Sequence, residues 1–499
     1  MAANFYAAVA ATIDSSRDSI VLETDDGRTY TRADLARESA RFAGMMSDAG
    51  AARGDRIAVQ VEKSPASLFL YLGCLRAGLV YLPLNTAYLR GELSYFLGDA
   101  QPSIVVCKPQ SFELMREISA GHAQVFTLDE DGRGSLADLA AALPGEFVTV
   151  DLEPDDVAAI IYTSGTTGRS KGAMVTHRNL LASARVLVDY WGFGARDVLL
   201  HALPVFHIHG LFVANHCALL SGAKLLWHRK FDAKPVLRDL ARATVMMGVP
   251  TFYTRLLAEP GFNRDACGNV RLFISGSAPL QLDTFREFQA RTGQSILERY
   301  GMSEAGMICS NPVQGERRGG SVGFPLPGVS VRVADDHDRP LHCGDIGGIQ
   351  IKGENVFAGY WHMPEKTREE FTVDGYFRTG DVGTFAADGY VSIVGRAKDL
   401  IISGGYNVYP KEIELALDAL PGVMESAVIG IPHPDFGEAV TAIVVARNDA
   451  RLDPGALIAE LKKNFANYKV PKRVVLVDDL PRNAMGKVQK ALLRERFAK

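Results

Sequence analysis

A glycine- and hydroxyl-rich segment at residues 163–172 is the feature that most constrains how this chain can fold. It reads Thr-Ser-Gly-Thr-Thr-Gly-Arg-Ser-Lys-Gly and directly follows an apolar run at residues 157–162. That run is long enough for a buried strand, so the segment is predicted to be a loop at a strand end. Glycines allow close backbone approach, hydroxyl and N–H groups can donate to phosphoryl oxygens, and Lys171 adds a positive charge. The pattern predicts a phosphate-binding loop, although it would also suit a surface turn.

The spacing of this loop differs from that of the P-loop of nucleotide triphosphatases. A P-loop has two glycines separated by four residues, and the second is followed by lysine and then serine or threonine. Here Ser170 stands five places after Gly165, and Gly172 follows Lys171. The chain is therefore not predicted to be a P-loop enzyme.

Length and composition indicate a soluble protein with several subdomains. The 499 residues exceed what one ordinary core holds, and a share of 47% hydrophobic and 22% charged residues is typical of a globular protein. The formal net charge of −4 gives no reason to expect nucleic acid or an anionic membrane as a partner. No uncharged run approaches the length of a membrane span.

The cysteines and the N-terminus indicate the cellular compartment. Six cysteines are scattered without a Cys-x-x-Cys pair, which argues against a zinc site and a disulfide framework and favours a reducing compartment. The N-terminus has no basic region, and Asp14 and Asp18 interrupt its apolar run early. We therefore expect no cleaved signal and a cytoplasmic location.

Strand and helix patterns alternate along the chain, which predicts an α/β fold with parallel sheets covered by helices. Three later apolar segments, at residues 245–255, 271–280 and 294–304, each contain a predicted strand followed by glycine and hydroxyl residues. Loops at three such strand ends would surround one crevice, which is where open α/β sheets bind ligands.

The segment at residues 163–172 resembles the phosphate-binding signature of the acyl-adenylate-forming (ANL) superfamily, which includes acyl-CoA synthetases, luciferases and peptide-synthetase adenylation domains. Nearly the whole chain takes part in the resemblance. It implies a large N-terminal domain at residues 1–396, with parallel and mixed sheets covered by helices and a barrel-like subdomain. It also implies a small, mobile α+β C-terminal domain at residues 397–499 that carries the catalytic lysine.

The resemblance implies a set of ATP-binding residues. Tyr300 would stack on adenine, Ser303 would touch phosphate, and Asp381 would accept hydrogen bonds from both ribose hydroxyls. Glu304, with Thr163, would bind Mg²⁺ and act as a catalytic residue. The family more often has threonine where Ser303 stands, and the hydroxyl is kept. The complete implied set is Thr163, Ser164, Gly165, Thr166, Thr167, Gly168, Lys171, Ser277, Ala278, Glu298, Tyr300, Gly301, Met302, Ser303, Asp381 and Arg396.

The C-terminal motifs imply the second half of the reaction. Lys487 occupies the place of the family's catalytic lysine and would bind carboxylate and α-phosphate oxygens during adenylation. Lys398 would be the hinge of a domain rotation that presents Ser403, Gly404 and Gly405 to coenzyme A. A catalytic lysine on a mobile domain also suggests a regulatory acylation site, served by a lysine acyltransferase and deacylase.

Polar residues in the pocket-forming segments indicate what kind of acid is bound. By resemblance His207 lies beside the acyl pocket, and Arg255, Ser277 and Arg299 belong to the other segments that form it. Arg299 directly precedes Tyr300, and a buried guanidinium needs an anion because an unpaired buried charge is costly. A bidentate pair with a second carboxylate of the substrate is the simplest partner. For Arg255, pairing at the surface of its helix remains an alternative.

Residues 248–255 and 298–304 together resemble malonyl-CoA synthetases. The resemblance implies ligation of malonate to CoA with ATP and Mg²⁺, releasing AMP and pyrophosphate, with methylmalonate as a further candidate substrate. Three alternatives stay open. They are a CoA ligase for another small or aromatic acid, an adenylation enzyme that serves a carrier protein, and a nucleotide-binding protein without activity.

Overall fold

The computed structural model describes residues 3–119, 121–163, 170–403, 406–447, 450–483 and 486–498. Within these ranges a π-helix spans His209–Ala214, and 3₁₀ turns span Pro109–Ser111 and Ala397–Asp399. None of the described helices is both long and apolar enough to cross a membrane. The α-helices are α1 (Phe5–Asp14), α2 (Arg32–Asp48), α3 (Pro65–Arg76), α4 (Arg90–Ala100), α5 (Phe112–Ile118), α6 (Ser135–Ala141), α7 (His177–Tyr190), α8 (Asn215–Ser221), α9 (Ala233–Leu240), α10 (Pro250–Leu257), α11 (Leu282–Thr292), α12 (Pro364–Glu370), α13 (Pro410–Asp418), α14 (Pro454–Leu461) and α15 (Lys490–Phe497).

The strands alternate with these helices in the first part of the chain and dominate its middle. They are β1 (Ile20–Thr24), β2 (Thr29–Thr31), β3 (Arg56–Gln60), β4 (Val80–Pro83), β5 (Ile104–Cys107), β6 (Gln124–Thr127), β7 (Val157–Thr163), β8 (Lys171–Thr176), β9 (Val198–His201), β10 (Lys224–Trp227), β11 (Val245–Gly248), β12 (Leu272–Ser275), β13 (Leu297–Met302), β14 (Gly306–Ser310), β15 (Phe324–Pro325), β16 (Ser330–Ala334), β17 (Gly347–Lys352), β18 (Gly359–Tyr360), β19 (Phe377–Phe385), β20 (Val391–Arg396), β21 (Ile401–Ser403), β22 (Tyr406–Val408), β23 (Val423–His433), β24 (Gly437–Ala446) and β25 (Arg473–Val477).

Two large mixed sheets form the body of the molecule. One has the strand order β15-β14-β13-β12-β11-β9-β10-β1-β2 and the other β18-β8-β7-β4-β3-β5-β6. The main hydrophobic core lies against both sheets and includes the fully buried Trp191 and Trp227. This arrangement agrees with the predicted α/β fold of parallel and mixed sheets covered by helices.

Local sequence signals explain where several helices begin. The Thr31 and Ser64 side chains cap α2 and α3, and each belongs to a capping box that satisfies backbone N–H groups at the helix start. Pro65 follows at the first position of α3, where its fixed φ suits a helix and its missing N–H costs nothing. These polar signals precede apolar faces that pack into the core.

The three strands predicted to end at one crevice are neighbours. β11, β12 and β13 are parallel, with Met247 opposite Ile274 and Ser275 opposite Glu298. Their carboxyl ends therefore meet at one edge of the sheet. β13 then pairs with the antiparallel β14, and the tight loop between these two strands carries Ser303 and Glu304.

The predicted barrel-like subdomain corresponds to a small antiparallel sheet of order β16-β17-β19-β20. Its last strand ends at Arg396. After the turn Ala397–Asp399, the chain forms a separate sheet of order β22-β21-β24-β23, with β25 beside β24 and covered by α13, α14 and α15. This α+β unit follows the predicted boundary, and the division at residue 396 stays a prediction.

Candidate active site

The phosphate-loop segment follows one strand and precedes its antiparallel partner. Thr163, at the end of β7, pairs with Lys171, at the start of the antiparallel β8. The predicted ATP-binding residues Ser164, Gly165, Thr166, Thr167 and Gly168 lie outside the described residues. The strand β8 was not predicted, because its lysine, glycine and threonine residues hide the period-two pattern of a strand. Its pairing with β7 and β18 is what makes these residues a strand.

A buried carboxylate lies beside Thr163. The Thr163 hydroxyl donates to Glu304 Oε1 at 3.2 Å, and the Tyr360 hydroxyl donates to the same oxygen at 3.3 Å. Glu304 is only 7% exposed, and burial raises the pKa of its carboxyl group. A buried carboxylate of this kind gains from a nearby cation, so the predicted pair of Glu304 and Thr163 fits a Mg²⁺ ion that also contacts phosphates.

Lys171 lies next to this carboxylate. Its ammonium is 4.1 Å from the centre of the Tyr360 ring, at a distance suited to a cation–π contact, and 3.3 Å from Glu370 Oε1. The lysine side chain is 8% exposed. Tyr360 therefore joins the predicted metal carboxylate to the predicted phosphate-binding lysine. Sequence reasoning missed Tyr360 and Glu370, because both come from a distant segment with no phosphate or nucleotide motif.

A second cluster lies where the nucleoside is expected. The Tyr300 hydroxyl donates to Asp381 Oδ2, and Arg396 Nε lies 2.6 Å from Asp381 Oδ1. Asp381 is 3% exposed and accepts these two contacts because β19 and β20 place it opposite Arg396. Its own backbone N–H donates to Thr379 Oγ1 at 3.1 Å. The structure thus brings together Tyr300, Asp381 and Arg396 from widely separated motifs.

Lys487 approaches this cluster from the C-terminal unit. Its N–H donates to Asn483 Oδ1 at 3.0 Å, which fixes the turn that carries it. Lys487 is open to solvent on one side. Burial by the surrounding protein, and to a smaller extent the positive charge of Arg396, lower the pKa of Lys487 to about 8. The negative charge of Asp381 acts in the opposite direction. The lysine is therefore poised between its charged and neutral forms near pH 8.

Contacts between the N-terminal and C-terminal units hold Lys487 in this position. Arg447 Nη2 lies 2.9 Å from Asp283 Oδ2, and a Cβ placed on Gly486 would lie 3.1 Å from Thr251 Cγ2. Gly486 itself has φ +73°, a conformation that favours glycine. The turn that bears Lys487 thus packs directly on the first turn of α10.

Arg299, one of the residues of the predicted acid pocket, is a buried cation. It is 4% exposed, and its Nε and Nη2 groups have no hydrogen-bond partner among the described residues. Burial lowers the pKa of Arg299 to about 10. The guanidinium packs on the backbone of Gly276, where a Cβ would lie 2.6 Å from Arg299 Nε. An arginine with two unused donors in a protein interior can bind an anion.

The predicted pocket residues His207 and Ser277 lie near this arginine. Burial, and after it the positive charge of Arg299, lowers the pKa of His207 to about 4 and that of His209 well below its usual value. Both imidazoles are therefore neutral at pH 7. His209 Nδ1 lies 3.2 Å from Ser277 Oγ, and Ser277 has φ +72°, a strained value for a residue other than glycine. His209 begins a π-helix, which the sequence did not predict and which often marks functional sites.

The other predicted residues occupy varied surroundings. Ala278, Gly301, Met302 and Ser303 are half-buried at the ends of β12 and β13. Glu298 is buried, which raises its pKa to about 7, and its Oε1 accepts the Leu280 N–H at 3.1 Å. These positions are compatible with the predicted roles, which remain predictions.

Three predictions concern residues away from the crevice or outside the described ranges. Arg255 is exposed in the last turn of α10, so its place in the acid pocket stays a prediction. Lys398 is exposed in the turn between the two units, and Ser403 is buried at the end of β21. The predicted CoA-contacting residues Gly404 and Gly405 lie outside the described residues.

A solved structure resembles this chain over its whole length. The chain is similar to ATP-bound MatB from Rhodopseudomonas palustris, with 53% identity, a TM-score of 0.98, and coverage of 100% of this chain and 99% of MatB. The TM-score with the apo form of that protein is 0.87. The arrangement of this chain is therefore more like that of the ATP-bound form.

Curated relatives cover the chain almost completely. A sulfoacetate–CoA ligase from Cupriavidus necator is 37% identical, covering 95% of this chain and 94% of the ligase. A feruloyl-CoA synthase from an Amycolatopsis species is 36% identical, covering 94% of both. A malonate–CoA ligase from Arabidopsis thaliana is 33% identical, covering 96% of this chain and 86% of the ligase.

Two family models match the chain. The AMP-binding enzyme model matches residues 9–361, and the model of the AMP-binding enzyme C-terminal domain matches residues 412–487. Together with relatives that all join an acid to CoA, these matches show which reaction class the crevice serves. The chain belongs to the family of AMP-binding enzymes and is an AMP-forming acyl-CoA synthetase, which uses ATP and CoA to activate a carboxylic acid through an acyl-adenylate.

Proposed function

We propose that this enzyme ligates malonate to CoA and accepts methylmalonate as a second substrate. The observation that carries the proposal is the buried guanidinium of Arg299, whose Nε and Nη2 groups have no partner among the described residues. A carboxylate could accept both N–H groups and would offset the cost of the buried charge. An acid with a second carboxylate is therefore a better ligand than one that ends in an apolar group.

The relatives support an anionic substrate only in part. Malonate and sulfoacetate, named for two of them, each carry a second anionic group, whereas the acid of feruloyl-CoA synthase ends in a phenol. Ferulate would leave the Arg299 guanidinium unpaired in a buried site, which is costly. Methylmalonate adds only one methyl group to malonate, and a pocket discriminates such a difference by roughly 1–3 kcal/mol.

The first half-reaction is attack of the acid carboxylate on the α-phosphorus of ATP, which expels pyrophosphate. Two anions approach each other, so positioned positive charge must lower the barrier. In the proposal Lys487 binds the carboxylate and α-phosphate oxygens, and Lys171 binds the β- and γ-phosphates. Asp381 accepts hydrogen bonds from the ribose, and Tyr300 stacks on adenine. Arg396 holds the Asp381 carboxylate, from which it lies 2.6 Å.

Glu304 and Thr163 would hold Mg²⁺. Thr163 Oγ1 lies 3.2 Å from Glu304 Oε1, so a hydroxyl and a buried carboxylate lie side by side at the end of β7. A magnesium ion there would neutralise charge on the phosphates. Among the described residues, no group of three or more His, Cys, Asp and Glu side chains is arranged so that it could hold a metal ion.

The second half-reaction is attack of the CoA thiol on the mixed anhydride, which forms the thioester and releases AMP. We propose that residues 397–499 rotate about Lys398, which is exposed and lies in a short turn suited to a dihedral change. The rotation withdraws Lys487 and brings the segment of Ser403, Gly404 and Gly405 to the pantetheine chain. Lys487 would also be the target of a lysine acyltransferase and deacylase. Mass spectrometry that finds only unmodified Lys487 under all growth conditions would refute that part.

A cytoplasmic, reducing location belongs to the same proposal. All six cysteines are unpaired, and five of them are buried. Free buried thiols are usual in reducing compartments. Fractionation that recovers the protein from an oxidising compartment would contradict this location.

The test is AMP release with ATP and Mg²⁺ for malonate, methylmalonate, sulfoacetate, acetate and ferulate, each with and without CoA. Malonate should give the highest kcat/KM, with methylmalonate next, and AMP release should depend on CoA. A preference for sulfoacetate would keep the role of Arg299 but replace the substrate. A preference for acetate or ferulate would refute the anion-binding pocket. Turnover with a carrier protein in place of CoA would favour the alternative adenylation enzyme.

A further inference from the structure

Lys171 has an ion-pair partner that the proposed mechanism does not use. Its Nζ lies 3.3 Å from Glu370 Oε1, and the pair is mostly shielded from water, with side-chain exposures of 8% and 22%. An ammonium held by a carboxylate has less free charge to offer to the phosphates of ATP. The carboxylate and the phosphates are therefore competitors for one cation.

The fold brings Glu370 to this place by close packing of α12 on β18. Gly359 has φ +130°, and a Cβ there would lie 2.7 Å from Thr367 Cγ2, so only glycine allows the helix this close. Thr367 Oγ1 accepts the Tyr360 N–H at 2.9 Å, which fixes the helix to the strand. β18 pairs with β8, the strand that begins at Lys171. The position of Glu370 next to Lys171 is therefore set by the packing of α12 on β18 and the pairing of β18 with β8, and not by a long loop.

The position of Glu370 at the end of α12 is electrostatically unfavourable without cations. It is the last residue of the helix, where the negative end of the helix dipole disfavours a carboxylate. Lys171 at 3.3 Å and Lys366 at 3.2 Å from Glu370 Oε1 offset this cost. If Lys171 turns to a phosphate, Lys366 still neutralises Glu370. The pairing can therefore be exchanged without leaving an isolated charge in the protein.

We propose that Glu370 is an internal counter-ion that competes with the phosphates of the substrate for Lys171, so that Lys171 pairs with one or the other. ATP takes Lys171 from Glu370, and Glu370 takes it back as pyrophosphate leaves. Glu370 thus weakens pyrophosphate binding and speeds product release. This inference rests on the proposed role of Lys171 as a phosphate ligand.

Calorimetric titration with magnesium pyrophosphate tests the exchange. In Glu370→Gln the amide cannot hold the ammonium as an ion pair, so pyrophosphate should bind about three- to tenfold tighter. Glu369→Gln is the matched control, because Glu369 is the neighbouring helix residue and pairs with Lys366 but not with Lys171. Its pyrophosphate affinity should equal that of the wild type. AMP, which lacks the β- and γ-phosphates, should bind all three proteins equally, and this also reports that the fold is intact.

A double-mutant cycle separates the exchange from a general charge effect. In a Lys171→Gln background, Glu370→Gln should no longer change pyrophosphate affinity. An effect that persists there, or weaker pyrophosphate binding by Glu370→Gln, would overturn the exchange. If Lys171→Gln alone leaves pyrophosphate affinity unchanged, the phosphate role of Lys171 itself is wrong. If Lys171→Gln weakens binding and Glu370→Gln has no effect, only the exchange is wrong.

Steady-state kinetics gives an independent readout. If Glu370→Gln binds pyrophosphate more tightly and releases it more slowly, KM for ATP and kcat should fall together. Added pyrophosphate should also inhibit this variant more strongly than the wild type. Damage to the site would raise KM for ATP instead. An unchanged or raised KM for ATP in Glu370→Gln would therefore contradict the exchange.

Discussion

Replacing Arg299 with methionine should stabilise the protein while it destroys the activity with malonate. Burial lowers the pKa of Arg299 from 12.5 to about 10, which corresponds to a cost of about 3 kcal/mol for holding the charge in the fold at neutral pH. Methionine fills similar space without charge, so it should recover part of that cost. In the wild type, an anion bound to Arg299 would offset this cost.

The loss of activity has a comparable magnitude. A pair of charge-assisted hydrogen bonds from Nε and Nη2 to a carboxylate contributes about 3–5 kcal/mol when one partner is removed from a buried site. Arg299→Met should therefore lower kcat/KM for malonate about 10²- to 4 × 10³-fold. Propionate, which lacks the second carboxylate, should be used at least as well by the variant as by the wild type.

The assay combines thermal unfolding without substrates and AMP release with malonate and propionate. Arg286→Met is the matched control, because Arg286 is exposed on α11 and its replacement should change neither quantity. Gly276→Ala adds a second test, because its Cβ would displace the guanidinium without removing the charge. It should also lose malonate selectively. A Tm that falls in Arg299→Met, with equal losses for malonate and propionate, would show that Arg299 is structural and refute the reasoning.

Three further predictions concern the nucleotide side of the crevice. Because the pKa of Lys487 is lowered to about 8, kcat/KM for ATP–pyrophosphate exchange should be constant below pH 8 and fall tenfold per pH unit above it. Lys487→Arg should be slower than the wild type but should not lose activity at alkaline pH. If the variant still loses activity there, Lys487 is not the group that titrates. Burial raises the pKa of Glu298 from 4.5 to about 7, so its ionisation should destabilise the fold as pH rises through 7. Glu298→Gln should therefore increase the free energy of unfolding at pH 8 by up to ~3 kcal/mol and raise Tm there, but not at pH 4. Equal gains at both pH values would contradict this. Asp381→Asn removes the carboxylate that Arg396 and Tyr300 contact. It should raise KM for ATP about 30-fold or more, while KM for the acid stays within a factor of three. Equal increases in both KM values would point to general damage.

The sequence predicted elements whose signals are local. The apolar run at residues 157–162 marks β7, and the three later apolar segments contain the three strands of the crevice. Motifs with fixed spacing could be assigned to ATP because a phosphate loop needs contiguous glycine, hydroxyl and lysine residues. Such signals do not depend on which distant segment packs beside them.

The contacts that the sequence could not predict all join distant segments. Glu370 reaches Lys171 across 199 residues of chain, and Tyr360 reaches Glu304 across 56. His209, the first residue of the π-helix, contacts Ser277 across 68 residues of chain, which no local periodicity reveals. That Arg299 Nε and Nη2 have no partner among the described residues is likewise a property of the fold, since the sequence neighbours of Arg299 do not determine which groups surround it.

The way the C-terminal unit is held fits a reaction in two steps. The ion pair of Arg447 with Asp283 spans the two units at 2.9 Å, but both side chains are about half exposed. An exposed pair of this kind contributes only about 0.2–1 kcal/mol. This ion pair therefore adds little to the packing of Gly486 on Thr251, which is the other described contact that positions Lys487. Burial and the positive charge of Arg396 disfavour the charged form of Lys487, so loss of the pyrophosphate charge would leave this ammonium less well stabilised in the crevice. The same lysine that promotes adenylation would thus release the C-terminal unit for the thioester step.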